Sequence, residues 1–469
     1  MIKVITVLTR EMPVKTIVFL LLLLLPGLSV QAGPDTGQDP DDEAVMDETE
    51  DYDDKLEEII TQRLERQEQL SDRLSEAAER QISDLLEGEG ISDVLPADSA
   101  ADDERLSQLW DIADRLDEWE ADALPDQEIA VMTAEQLQQA RQLGVTVLDE
   151  QPLPALGGIL VTFAPLPDGV EIEVVPNHLY QLDAADAGIA GPLPVSASAL
   201  LGMVGLTGAQ PAQQRIGMMD SAIDRGHPCL QGVSITQKTF IRTDSTADTR
   251  HGTALASVMA GRAGCGAEGI LQQASLVNAV VFARTQQGPV IASASQLVTG
   301  LDWLLQQQVR LVNLSLSGPP NPVLERALNL AHSMGVQLVS SVGNEGTAAF
   351  PRYPAAYDAV IAVTAVDRQR QVFPRAVRGP HVELSAPGIG LVVAAEQGQT
   401  ELMSGTSLAA AFATAVLAAR TPAADVEQQR RQLQQEALDL GEPGRDPVFG
   451  FGLLQVHPAA QPQEQGMAE

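Results

Sequence analysis

Ser404-Gly405-Thr406-Ser407, followed by LAAAFATAVLAA over residues 408–419, decides the fold of the C-terminal half of this 469-residue chain. A run of small and apolar side chains without a charge predicts a helix that passes through the middle of a domain, since a surface helix keeps a polar face. Its N–H-rich first turn falls at Ser407, which can serve there as an N-cap or as a reactive hydroxyl. A central helix needs layers around it. The apolar runs Ile216–Met219, Ser275–Phe282, Leu311–Leu316, Val336–Val342 and Val360–Val366 read as buried strands, with helical patterns at Ala292–Gln308 and Pro322–Met334 between some of them. Near-continuous Val, Leu and Ile with intervening helices predicts an α/β domain, a mostly parallel sheet covered by helices on both faces, over residues 195–458.

Upstream, residues 127–180 read as a small α+β unit. Glu128–Met132 is a strand, Thr133–Leu143 an amphipathic helix ending at Gly144, and Val145–Leu148 and Gly158–Phe163 are two more strands. About 50 residues hold a weak core of their own, so the unit is expected to lean on something larger. Residues 181–194 read as a linker and 459–469 as a frayed tail.

Residues 33–126 are an acidic extension. The chain holds 64 acidic against 29 basic residues, a net charge of −35, and 32 of the acids lie within 33–125 against 7 bases. This balance argues against nucleic acid or an anionic membrane surface as principal partner. Lys55–Leu86 and Asp102–Ala123 carry helical apolar stripes, whereas 33–54 has almost nothing to bury. These acidic helices are a candidate surface for an envelope protein, the alternative being a solvated spacer. Lys3, Arg10 and Lys15 precede the apolar run Ile17–Leu25, with small residues at Val30 and Ala32. The pattern reads as a signal peptide over 1–32, with an uncleaved anchor as the alternative. Export to the periplasm or the extracellular space would let Cys229 and Cys265 oxidise.

Three polar sites fall beside strand ends or helix starts: Gly217-Met218-Met219-Asp220, His251-Gly252-Thr253, and Ser407. Each alone has a plain structural explanation. In this order and context, however, the chain resembles the subtilisin-like serine proteases, the subtilase family. The resemblance covers about 195–458 through GMMDSAID, HGTALASVMAG, NLSLSG, SSVGNEG, YPAAY, SAPG and SGTSLAAA. It implies hydrolysis of peptide bonds through an acyl-enzyme, with Ser407 as nucleophile, His251 as general base and acid, and Asp220 orienting the imidazole. Asn344 matches the family's oxyanion asparagine, acting with the Ser407 backbone N–H. No cofactor or metal is implied by these motifs.

The resemblance also implies a substrate-lining strand at Leu314, Ser315, Leu316, Ser317 and Gly318, whose edge accepts an extended peptide, with Ser340, Ser341 and Val342 as the opposite wall. Ser317 stands where glycine is common, which bears on pocket width. Departures from the family pattern are Ala222, Ala254 and Ala411; none removes a proton carrier or an oxyanion donor. Cys229 and Cys265 fall in segments that resemble the family's calcium-binding regions, implying a disulfide that pins the loop, with two free buried thiols as the alternative. The 127–180 unit resembles the family's propeptide, and Val175-Pro176-Asn177-His178-Leu179-Tyr180 its exit toward the cleft. The expected function is an exported serine endopeptidase made as a precursor, acting on protein or peptide substrates and held by its own propeptide-like domain. The alternative is a catalytically inactive subtilase-fold binding or scaffolding protein of the cell envelope.

Overall fold

The computed structural model describes residues 122–456, apart from 168, 184–193, 209, 213, 242–244, 286–288, 348 and 421–424. The expected signal peptide, most of the acidic extension with its two helices, most of the linker and the tail lie outside the described residues.

The larger layer system is a parallel sheet. Five of its strands are β5 (Ile216–Asp220), β7 (Ser275–Val280), β9 (Leu311–Leu314), β11 (Gln337–Ser341) and β12 (Val360–Val366). With β6 (Ser234–Thr239) and β13 (Leu384–Pro387) the order is β13-β12-β11-β9-β5-β7-β6, and every pairing is parallel. All five predicted runs are therefore strands. Leu311–Leu316 breaks after Leu314, and Leu316–Ser317 forms a separate short strand, β10, which faces the cleft.

Alternation along the strands feeds two cores. In β5, Ile216 and Met218 join a cluster built around helices α2 (Arg250–Ala260) and α5 (Thr406–Ala418). Met219 points the other way, into the cluster formed with α3 (Ala294–Gln306) and α4 (Pro322–Ser333). Every residue of α5 is buried, as the uncharged run 408–419 requires.

The smaller unit is an antiparallel sheet with one helix. Strand β1 (Ala123–Met132) pairs with β3 (Ile159–Phe163) and β4 (Val175–Leu182), and β2 (Val147–Pro152) pairs with β3. Helix α1 (Ala134–Gln142) starts with a capping box: Gln136 N–H donates to Thr133 Oγ1 at 3.2 Å, and Thr133 N–H donates to Gln136 Oε1 at 2.8 Å. It ends before Gly144, whose φ of +83° favours glycine.

Ala130, Met132, Val161 and Phe163 pack under α1, whereas Ile129 and Leu160 on the opposite face join the α3–α4 cluster. The unit thus lends one face of its sheet to the larger domain, as its size led us to expect. Three boundaries differ from expectation. β1 begins at Ala123, inside the stretch read as acidic extension, because Asp126 takes a left-handed φ of +59° and the register shifts there instead of ending. β2 runs over Val147–Pro152, starting two residues later than Val145 and continuing to Pro152. β4 had been read only as an exit segment, and its pairing persists through Leu182 into the stretch read as linker.

Candidate active site

Asp220 closes β5 and is fully buried, with the N–H of Ser221 donating to its Oδ1 at 2.6 Å. His251 stands at the second position of α2, and the start of that helix is pressed onto the strand end. Gly252 N–H donates to Ser221 Oγ at 3.0 Å, and a Cβ on Gly252 would lie 2.5 Å from the Ser221 carbonyl oxygen. Asn278, on the neighbouring β7, fixes the same turn by donating to the Ser221 carbonyl at 2.9 Å. The result is an imidazole whose Nδ1 lies 2.9 and 3.0 Å from the two Asp220 oxygens. A carboxylate only accepts, so Nδ1 carries the proton and Nε2 is left as the basic nitrogen.

His251 Nε2 is buried and has no hydrogen-bond partner among the described residues. Burial lowers the affinity of the ring for a second proton and is the largest single influence. The Asp220 charge and hydrogen bond, with Asp183 and Asp248 behind them, together outweigh it and raise the pKa of His251 above its ordinary value.

Ser407 is the second residue of α5. Its helix start is tied to the loop after β11, because Thr406 donates to Asn344 Oδ1 through its N–H at 3.1 Å and through its hydroxyl at 2.9 Å. With Oδ1 so engaged, the orientation of the Asn344 amide is set, and the residue is buried beside the start of α5. Ser315 Oγ donates to the Ser407 carbonyl at 3.2 Å, and Asn313 donates to Ser315 Oγ at 2.8 Å. The departures at Ala222, Ala254 and Ala411 disturb none of this: Ala254 and Ala411 are fully buried, and Ala222 N–H donates to the Asp248 carbonyl at 2.8 Å.

Ser407 Oγ donates to the backbone carbonyl of Asp183 at 2.7 Å. The structure therefore joins Asp220 to His251 as expected, while the serine hydroxyl is turned onto a peptide carbonyl of the chain itself. That carbonyl belongs to the residue directly after β4, which lies in the cleft as an extended strand. On one edge β4 pairs antiparallel with β8 (Val290–Ser293), matching Leu179 with Ser293, Tyr180 with Ala292 and Gln181 with Ile291. On the other it pairs with β10, matching Leu182 with Leu316 and Gln181 with Ser317. The edge at 314–318, expected to accept a peptide, is occupied by this strand.

The predicted lining residues separate in role. Ser341 Oγ donates to Asp183 Oδ2, whereas Ser340 Oγ donates to the Leu314 carbonyl at 2.8 Å and ties β9 to β11. Val342 belongs to the core on the α5 side. Ser317 Oγ donates to Glu345 Oε1 at 2.8 Å, so the serine in a place often held by glycine narrows the recess and makes it polar. Gly318 admits Tyr180, whose ring is fully buried and whose hydroxyl donates to the Pro319 carbonyl at 2.9 Å.

Several residues that shape the site escaped sequence reasoning. β8, the second wall, is only four residues long, and its Ala292 and Ser293 fall in the stretch read as the start of a helix, which begins at Ala294 instead because Ser293 is its N-cap. Asp183 sat in a stretch read as linker. Further contacts seat the smaller unit: Asp302 Oδ1 accepts the N–H groups of Ala155 and Leu156 at 2.9 and 2.8 Å, and Asn177 and Ser295 bond reciprocally at 3.0 and 3.1 Å. Asn321 Nδ2 donates to His178 Nδ1 at 3.0 Å while its Oδ1 caps α4. Burial holds His178 down at a pKa of about 4.

Away from the cleft, Cys229 and Cys265 form a disulfide with Cα atoms 5.2 Å apart. His227 Nδ1 accepts the Cys229 N–H at 3.1 Å, so its Nε2 carries the proton and donates to the Gln399 carbonyl at 2.9 Å. The bridge thereby joins a loop that also grips the β-hairpin formed by 391–394 and 400–403.

Comparison with known proteins gives one family. A sequence profile described as the subtilase family matches residues 212–452, about half of the chain. The minor extracellular protease Epr of Bacillus subtilis is 34% identical over 227 residues, covering 47% of this chain and 35% of that protein. Subtilisin DY of Bacillus licheniformis is 29% identical over 265 residues, covering 54% of this chain and 93% of that one. Among solved structures, fervidolysin from Fervidobacterium pennivorans, a keratinolytic enzyme related to subtilisin, superposes with a TM-score of 0.59 at 20% identity. That overlap covers 71% of this chain and 60% of fervidolysin, and it is a likeness of fold.

Proposed function

The chain belongs to the subtilase family, and from that premise we propose that it is a serine endopeptidase, exported and made as a precursor whose own N-terminal unit fills the cleft. The observation that carries the reading is a set of four groups: an imidazole held by Asp220 through Nδ1, its Nε2 left basic, Asn344 tied to the start of α5, and the Ser407 hydroxyl on that helix bonded to a peptide carbonyl. A pure binding protein has no chemical need for all four.

The roles follow from the atoms. Ser407 Oγ attacks a substrate carbonyl carbon and its proton passes to His251 Nε2, the nitrogen left basic by the Asp220 bond. Asp220 balances the imidazolium that forms. The attacked oxygen becomes an anion, which the Asn344 amide and the Ser407 N–H stabilise; one such side-chain donor contributes about 3 kcal/mol in subtilisin, the worked case for this figure. Substrates are proteins or peptides that bind as an extended strand between β8 and β10, in the manner of β4.

Residues 122–183 act as the propeptide, and the bonds at Asp302, Asn177 and Asn321 support that role. Being covalently joined, the strand meets the cleft at high effective concentration without needing a large intrinsic affinity. Export to the periplasm or outside the cell is supported by the extracellular relative and by the disulfide. An envelope partner for the acidic extension rests on its charge and apolar stripes alone.

Labelling of the processed enzyme by a fluorophosphonate serine probe tests the activity. We expect labelling that disappears in Ser407→Ala. A chain freed of its N-terminal unit that never labels would make it a silent subtilase fold.

A further inference from the structure

Resting on the precursor reading above, the geometry points to the peptide bond after Asp183 as the bond this enzyme cuts in its own chain. It points equally to the recess of Ser317, Ser341 and Glu345 as a pocket for a short hydrogen-bonding side chain, aspartic acid or its amide, on the residue whose carbonyl is attacked.

Register supplies the first argument. The Asp183 carbonyl oxygen is the atom that Ser407 Oγ touches, at 2.7 Å, and the three residues before it are the ones paired with β8 and β10. The Asp183 side chain is nearly fully buried, and its Oδ2 accepts a hydrogen bond from Ser341 Oγ. Ser317 and Ser341 are themselves almost completely buried; Ser317 is satisfied by Glu345, whereas Ser341 donates its hydrogen to the arriving side chain and would lose that acceptor to a large apolar one.

Charge supplies the second. Glu345 from the loop after β11 is close enough to act on Asp183, with Arg352 3.6 Å from Glu345, and so is His251 on α2, which Asp220 holds. Burial first, and the Glu345 charge second, raise the Asp183 pKa to about 7 against the pull of the Ser317 and Ser341 hydroxyls and of His251. The pocket thus holds the carboxyl most readily as a neutral acid. Asparagine keeps the oxygen that Ser341 needs and carries no charge.

The step balances with water as the only co-reactant. Ser407 Oγ forms a bond to the Asp183 carbonyl carbon as its proton goes to His251 Nε2. The C–N bond to residue 184 breaks and takes that proton from His251. Water then adds to the acyl carbon, giving a proton to His251. Departure of Ser407 Oγ, which recovers the proton, leaves Asp183 as a C-terminal carboxylate.

The test uses the purified full-length chain with Ser407→Ala as control. Amino-terminal sequencing should give a Ser407-dependent terminus at Ala184, retained in Asp183→Asn and formed at least tenfold more slowly in Asp183→Phe. The processed enzyme is then given peptides that differ only in the residue before the cut. We expect Asn and, at acidic pH, Asp to exceed Leu and Phe at least tenfold in kcat/KM, with Ser341→Ala narrowing that ratio.

The Asp-to-Asn ratio isolates the pocket, since His251 acts equally on both. It should fall by up to tenfold per unit as pH rises from 5.5 to about 7 and level off above. A Ser407-dependent terminus elsewhere overturns the assigned bond, and faster cleavage after Leu or Phe overturns the pocket. Absence of both processing and probe labelling overturns the endopeptidase reading instead.

Discussion

The Tyr180 ring lies so close over Gly318 that a Cβ on the glycine would stand 2.4 Å from Tyr180 Cδ1. Gly318→Ala should therefore expel the ring or push β10 away from β4. In the uncleavable Ser407→Ala background, we expect hydrogen exchange of the 179–182 amides to quicken by an amount equivalent to about 1–3 kcal/mol, the usual cost of overpacking. Tyr180→Ala, which empties the pocket instead, should cost about 3–5 kcal/mol by the same measurement.

Asn344 turns its Oδ1 to Thr406. Asn344→Ala should keep the fold and the Asp220–His251 pair while acylation slows by about 100- to 1,000-fold, the range for loss of one oxyanion donor in subtilisin. Stopped-flow acylation of the processed enzyme checks this, with circular dichroism showing that the fold persists.

Two groups set opposing pH dependences on docking of the N-terminal unit. His178 is held near 4, below its ordinary 6.5, so its contribution is present above 6.5 and is lost as pH falls toward 4. Asp183 is raised from 3.8 to about 7, so its contribution is present below 3.8 and is lost as pH rises toward 7. Between about 4 and 6.5 the two slopes oppose each other, and docking in Ser407→Ala should change little. Asp183→Asn should loosen as pH falls and His178→Gln should loosen as pH rises, each by up to tenfold per unit, read from hydrogen exchange of β4.

The disulfide spans 36 positions of sequence. A chain-entropy estimate for a loop of that length is about 3–4 kcal/mol before strain is subtracted. The double variant Cys229→Ser, Cys265→Ser should unfold at lower denaturant concentration than the native enzyme, with little change in the acylation rate, because the bridge lies away from the cleft. Non-reducing peptide maps should show the cross-linked pair in the native protein only.

Five strands of the parallel sheet were legible because each is apolar on both faces, and α5 because no charge interrupts it; β6, Ser-Ile-Thr-Gln-Lys-Thr at the sheet's edge, and the short β13 were not. Asp220, His251, Asn344 and Ser407 were legible because each sits in a local motif whose order along the chain is itself informative. Asp183 and β8 were not. A strand paired through its backbone needs no special side chains, and residues 290–293 and 179–183 carry no alternation that predicts whom they pair with. The polar character of the recess was half visible: Ser317 stood out, but the meaning of Ser341 depended on which side chain would arrive opposite it.

Strand β4 gives one edge to β1 and β10 in succession and the other to β8, so a single sheet runs from the N-terminal unit across both walls of the cleft. Cutting after Asp183 converts an internal strand into a detachable one. Once it departs, β8 and β10 keep open edges with nothing hydrogen-bonded between them, and the free enzyme no longer contains the part that set their spacing. Its folding then has a memory: a processed molecule that unfolds must rebuild two walls without their common neighbour, at an effective concentration that fell when the chain was cut. On the proposed cut, the durability of the processed enzyme would be set by how slowly it unfolds.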